Sequence, residues 1–213
     1  MPKRATISVV GHGRAQGVPD VCRVHLTATA LRPSVALALA DSEATARRVR
    51  EALAAGGVAA PDAATGTVTI RPEEDYSGSR GPRLLGYRAE HGLEIRLRDL
   101  AAAGRLLGDA VAAGGDAVRL QGVDFELEDD AQLRALARAA AWEDARHAAE
   151  QLAQLAGREL AGVRRVDVGG GADVPIRRPR MAAFAAAAGA PEVGLESGGV
   201  VVDVTLAVVW ELG

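Results

Sequence analysis

Residues 84–98 alternate almost without fault: Tyr87, Ala89, His91, Leu93, Ile95 and Leu97 fall on one side, and Arg88, Glu90, Glu94, Arg96 and Arg98 on the other. A period of two over so long a run predicts a strand with one dry face and one charged face. Residues 21–31 repeat it with Cys22, Val24, Leu26, Ala28 and Ala30, and residues 118–127 with Val123, Phe125 and Leu127. Residues 200–211 align Val200, Val202, Val204, Leu206, Val208 and Trp210. Further strands are predicted over 7–13, 65–71 and 163–168, the first making a hairpin with 21–31 through the turn-rich residues 14–20.

Helical spacing takes over elsewhere. Val35, Leu39, Ser42, Ala46, Val49 and Leu53 recur at alternating intervals of four and three, which predicts a helix from Pro33 to about residue 55, stopped by Gly56-Gly57. Asp99 is placed to cap a second helix over 100–113, and Asp129-Asp130 to start the longest, over 131–156. Residues 72–82 read as a polar loop. The fold class expected is α+β, with mainly antiparallel sheet and helices packed on one face, leaving the other face for water or a partner. The strand, strand, helix order occurs twice and hints at a duplicated unit, yet no residue-by-residue repeat divides the 213 residues into more than one domain. Between the last two strands lies an excursion, residues 169–199, with seven glycines and three prolines. It reads as a flexible loop or as an arm ordered by another subunit.

Composition narrows the function classes. With 48% hydrophobic and 25% charged residues the chain is an ordinary soluble globular one. A net charge of -3, with arginines interleaved among acids, argues against a nucleic-acid surface. Cys22 is the single cysteine, so an intramolecular disulfide and a multi-cysteine zinc site are excluded. No apolar run reaches the length of a membrane span. Strand-like residues begin within a few positions of Met1, which predicts the cytoplasm for the chain as written, and the periplasm or export if a leader has been removed.

The tempting chemical signals are weak. Gly11-His12-Gly13-Arg14-Ala15-Gln16-Gly17 leads into a strand, whereas a pyrophosphate loop needs a helix N-terminus, so turn geometry is the expected role of its glycines. His12, His25, His91 and His147 lack the paired spacing of metal ligands, and no metal or other cofactor is expected. His91, on the dry side of its strand, is expected to be buried and hydrogen-bonded. Cys22 points into the expected core, and the acidic runs 73–75 and 126–130 read as solvated charge. Asp144 falls on the apolar side of the longest helix and needs a cation or a hydrogen-bond donor, or a face shared with another chain. Trp142 lies beside Arg138 and Arg146, where it stacks on an arginine or anchors a subunit contact.

Several segments together resemble the SIMPL-domain family: Ile7-Ser8-Val9-Val10-Gly11-His12-Gly13 followed by Val18-Pro19-Asp20, Gly86-Tyr87-Arg88-Ala89 with Leu93-Glu94-Ile95, and Gly122-Val123-Asp124-Phe125. The long helix adds Ala141-Trp142-Glu143-Asp144-Ala145-Arg146-His147, and the last strand ends Val209-Trp210-Glu211-Leu212. That family includes bacterial periplasmic immunogenic proteins and a mammalian partner of a receptor-associated kinase. The resemblance implies an α+β fold, self-association into large rings, links to stress tolerance and the envelope, and no established catalytic centre.

The leading expectation is therefore a non-enzymatic scaffold whose first partner is itself, with Trp142, Met181 and Phe184 as interface residues. The alternative is a small-ligand or enzymatic domain with a pocket near the excursion, where Arg177, Arg178 and Arg180 would meet an anion. A third possibility, capture of a strand on an exposed sheet edge, comes from the kinase-binding relative alone.

Overall fold

The computed structural model describes residues 5–76, 81–169, 194–195 and 198–213. Its elements follow the order β1 (Thr6–Gly17), β2 (Val21–Arg32), α1 (Val35–Ala55), β3 (Ala63–Asp75), β4 (Arg83–Leu97), α2 (Ala103–Gly114), β5 (Val118–Glu126), α3 (Ala131–Leu155), β6 (Leu160–Val168) and β7 (Val200–Leu212). They gather into two compact units, each with its own sheet.

The four-stranded unit has strand order β3-β4-β2-β5, with every neighbouring pair antiparallel. Its chain order, strand-helix-strand followed by strand-helix-strand, makes it a split βαβ sheet of the ferredoxin-like kind. The alternation of the sequence explains its sidedness. Cys22, Val24 and Leu26 lie opposite Leu97, Ile95 and Leu93 in register, and all six are buried against Val49 and Leu53 of α1 and Leu106 and Leu107 of α2. Each large side chain so covered contributes roughly 1.5–3 kcal/mol. Ser34 caps α1 by accepting from the Leu37 N–H at 3.3 Å, and Gly57 leaves the helix at φ +92°.

In the three-stranded unit the order is β1-β7-β6, again antiparallel, with α3 laid over β1 and β7. Helix and strand meet unusually closely. Ala137, Ala141, Ala145, Ala149 and Ala153, one every four residues, form the buried stripe of α3, and the stripe faces Gly11 and Gly13. A Cβ on Gly13 would lie 2.0 Å from the Ala137 carbonyl oxygen, and one on Gly11 2.1 Å from that of Ala141. Small residues on both sides let the backbones touch. Val9, Leu206, Val208 and Trp210 complete this core, where the Trp142 and Trp210 rings stand 5.8 Å apart and tilted by 50°.

The expected hairpin of β1 with β2 does not form. β1 pairs along its whole length with β7, nearly two hundred residues away, and β2 lies between β4 and β5. A two-residue hairpin turn needs a residue at positive φ, and Gly17 has none. Strand structure also reaches into the expected polar loop: β3 runs to Asp75, and Glu74 and Asp75 pair with Leu84 and Arg83. Asp99 does accept from the Ala102 N–H at 3.1 Å, but α2 begins at Ala103, later than the expected 100. The repetition is strand-helix-strand, one strand out of phase with the order that the sequence suggests.

Candidate functional site

The expected chemical residues are dispersed, and most serve the fold. Cys22 is fully buried, and burial, with Asp124 nearby, pushes its thiol up to about 11. His91 is buried as expected; its Nε2 lies 3.3 Å from Thr65 Oγ1, while Nδ1 is 3.1 Å from Glu43 Oε2 but off the line of a hydrogen bond. Asp144 finds a donor: its Oδ2 accepts from the backbone N–H of His12 at 2.8 Å. Trp142 packs on Trp210 and is half-buried. The glycines at 11 and 13 admit a helix instead of making a turn. Arg177, Arg178, Arg180, Met181 and Phe184 lie outside the described residues.

The acidic runs are held by arginines or cap a helix. Arg88 donates to both oxygens of Glu73, at 2.7 and 3.0 Å, and that pairing lowers the Glu73 carboxyl below the usual carboxylate range. Arg134 does the same to Asp130 through a 2.8 Å hydrogen bond at the start of α3, while Asp129 accepts from the Ala131 N–H. A carboxyl whose folded pKa is depressed stabilises the fold above its unfolded value, about 4, and loses that contribution as pH falls through the lower folded value. Arg134→Ala is expected to flatten the loss of stability below pH 4, measured as melting temperature against pH. An unchanged acid limb would count against this pairing.

Two surfaces among the described residues bear on function. One is a hollow of about 360 Å³ on the uncovered face of the four-stranded sheet. Gly66 and Gly92 leave its floor bare, and the register slips on both sides, between Thr65 and Val68 on β3 and opposite His25 and Leu26 on β5. Its rim carries His25, Thr67, Glu90, Glu94 and Gln121. Glu90 is already paired with Arg71 at 2.8 Å. The rim is acidic and hydroxylated, which suits a cationic or neutral polar guest. Among the described residues no three His, Cys, Asp or Glu side chains come together as metal ligands.

The other is the outer edge of the three-stranded sheet. Residues 161–168 of β6 are exposed without a break. Val163, Val166 and Val168 stand opposite Trp210, Val208 and Leu206, on the helix side of the sheet, but α3 lies over the other two strands and leaves them 43–61% exposed. Among the described residues nothing covers this apolar row, and an edge strand of that kind is a template for pairing.

Comparison with known proteins places this architecture. Residues 7–210 match the SIMPL family, described as a protein of unknown function (DUF541). The chain belongs to the SIMPL family. The 26 kDa periplasmic immunogenic proteins of Brucella melitensis biotype 1 and of Brucella abortus (strain S19) are each 27% identical to it over 130 residues, 59% of this chain and 50% of theirs. The chain thus spans about half the length of these curated relatives. For this SIMPL protein no helix among the described residues is long and apolar enough to cross a membrane.

Proposed function

We propose that this SIMPL protein is a non-catalytic, self-assembling scaffold of the bacterial envelope. The observation that carries the reading is β6: an edge strand exposed throughout 161–168, with three valines uncovered beside an otherwise buried core. β1, at the opposite edge of the same sheet, has its outward His12 N–H taken by the Asp144 carboxylate. An edge so occupied and one left open favour controlled association over aggregation. The names of the Brucella relatives support the periplasm as the compartment.

Light scattering over a dilution series is expected to give a particle of at least twice the 21.9 kDa chain mass at micromolar concentration. A monomer at every concentration would overturn the proposal. It would favour a second reading, a small-ligand domain, which the hollow beneath His25, Glu90 and Glu94 supports. The acidic rim favours an amine or polyol there over the anion expected of the arginine cluster.

A further inference from the structure

We infer that β6 pairs antiparallel with β6 of a second copy, about a two-fold axis through Val166, so that two three-stranded sheets become one of six strands. The inference rests on the assembly reading above and specifies its contact. The backbone sets which groups are free. Gly169 donates its N–H to the Thr205 carbonyl at 2.9 Å, and register runs without a slip from Arg165 opposite Val209 to Val168 opposite Leu206. In an antiparallel ladder, alternate residues bond to one neighbour and then to the other. Gly169, Asp167 and Arg165 therefore turn their N–H and C=O toward β7, and Val168 and Val166 turn theirs outward. The other edge agrees: His12 lies opposite Thr205 on β1, and its outward N–H is the one that Asp144 occupies.

Charge favours one register, since a centre on Val168 sets Asp167 opposite Gly169 and brings no opposite charges together, and Val163 lies at a register slip. A two-fold axis perpendicular to a continuous sheet must pass through a residue, since opposed residues share a face. Centred on Arg165, the pairing opposes two arginines; on Asp167, two aspartates; on Arg164, two arginines again. Like charges directly opposite one another destabilise a strand pair. Centred on Val166, valine meets valine through two mutual hydrogen bonds, and Arg165 of each copy meets Asp167 of the other on the outer face. These two side chains already attract: Arg165 Nε and Asp167 Oδ2 lie 2.7 Å apart within the strand, both largely exposed. On the helix side the two Val166 side chains then meet beside the two cores, with Val168 of each copy opposite Arg164 of the other.

Cysteine cross-linking reads the register directly, because the native thiol, Cys22, is buried. Across the axis, Cα atoms at position 166 should stand about 5.5 Å apart, within disulfide reach, and those at position 168 about 13 Å apart, beyond it. Under copper–phenanthroline in air, Val166→Cys is expected to form a covalent dimer at least tenfold faster than Val168→Cys. Charge exchange supplies a second readout: Arg165→Asp and Asp167→Arg should each weaken self-association tenfold or more, and an equimolar mixture of the two should restore it as a mixed complex. Tryptophan fluorescence checks that each variant is folded. Equal cross-linking at both positions, or a mixture no better than its components, would overturn the pairing while a large particle left the assembly reading standing. A monomeric wild type would end both.

Discussion

Gly13→Ala is expected to destabilise the three-stranded unit by at least about 3 kcal/mol, the upper part of the usual range for overpacking. The new methyl would sit 2.0 Å from the Ala137 carbonyl oxygen, 2.3 Å from the Ala141 nitrogen and 2.9 Å from the Ala141 Cβ. None of these atoms belongs to a flexible side-chain tip, so relief requires α3 to lift from β1 by more than an ångström. Lifting would stretch the 2.8 Å bond from the His12 N–H to Asp144 and part the alanine stripe from the strand along its length. Against a total stability of about 5–15 kcal/mol, such a loss brings the unit close to unfolding at ambient temperature. The reporter is built in: both tryptophans of the chain, Trp142 and Trp210, are in this core. Their fluorescence transition in denaturant should move to markedly lower concentration for Gly13→Ala. Gly122→Ala, whose Cβ would meet nothing within 4 Å, should leave it in place. Equal midpoints for both variants would show that the close approach of helix and strand carries no energetic weight.

How much of this was legible in the sequence depends on whether a signal lies in one segment or is shared between two. The strict alternation of residues 84–98 is a single-segment signal: one face of β4 is buried and the other is not, so the pattern identified the strand, its dry side and the burial of His91. The same holds for β2, for β7 and for the spacing of α1 from Ser42 onward, whereas Val35 and Leu39, expected on its dry side, are exposed and Ala38 is buried instead. Pairing is a shared property. Residues 14–20 look like a hairpin turn by local composition, but β1 gains a full-length partner in β7 that no local feature announces. The alanines of α3 read alone as a helix former, and Gly11 and Gly13 alone as a turn; only the two together state that a helix lies on the strand. Asp144 was marked as needing a donor, yet the donor is a backbone N–H, which no residue type encodes. β6 was half-seen for a different reason: exposed on both faces and slipped in register around Val163 and Arg165, it has no buried side to impose a period of two. The open edge offered here for assembly is thus the segment with the least pattern.

In the four-stranded unit the largest loss is expected from Leu93→Ala. Leu93 is 1% exposed at the centre of β4, opposite Leu26, with Ala63, Val49 and Leu106 in the same core cluster. Truncation removes about three methylene equivalents of buried surface and leaves a cavity that the sheet cannot close, since both neighbouring strands are fixed by their ladders. The expected cost is about 2–5 kcal/mol. Tryptophan fluorescence does not report on this unit, because it contains neither tryptophan. Cys22 does: it lies in the same cluster as Leu93, fully buried, with its thiol held protonated to about pH 11. At pH 8 the native protein should react with Ellman's reagent only through opening of this core, because the thiolate is the nucleophile and the buried thiol supplies almost none. For an opening equilibrium that limits labelling, 2–5 kcal/mol corresponds to a rise in rate of roughly thirtyfold to several thousandfold at 25 °C. Labelling of Leu93→Ala at the wild-type rate would mean that Cys22 is reached by local motion at the edge of β2, with the packing of Leu93 irrelevant to its protection.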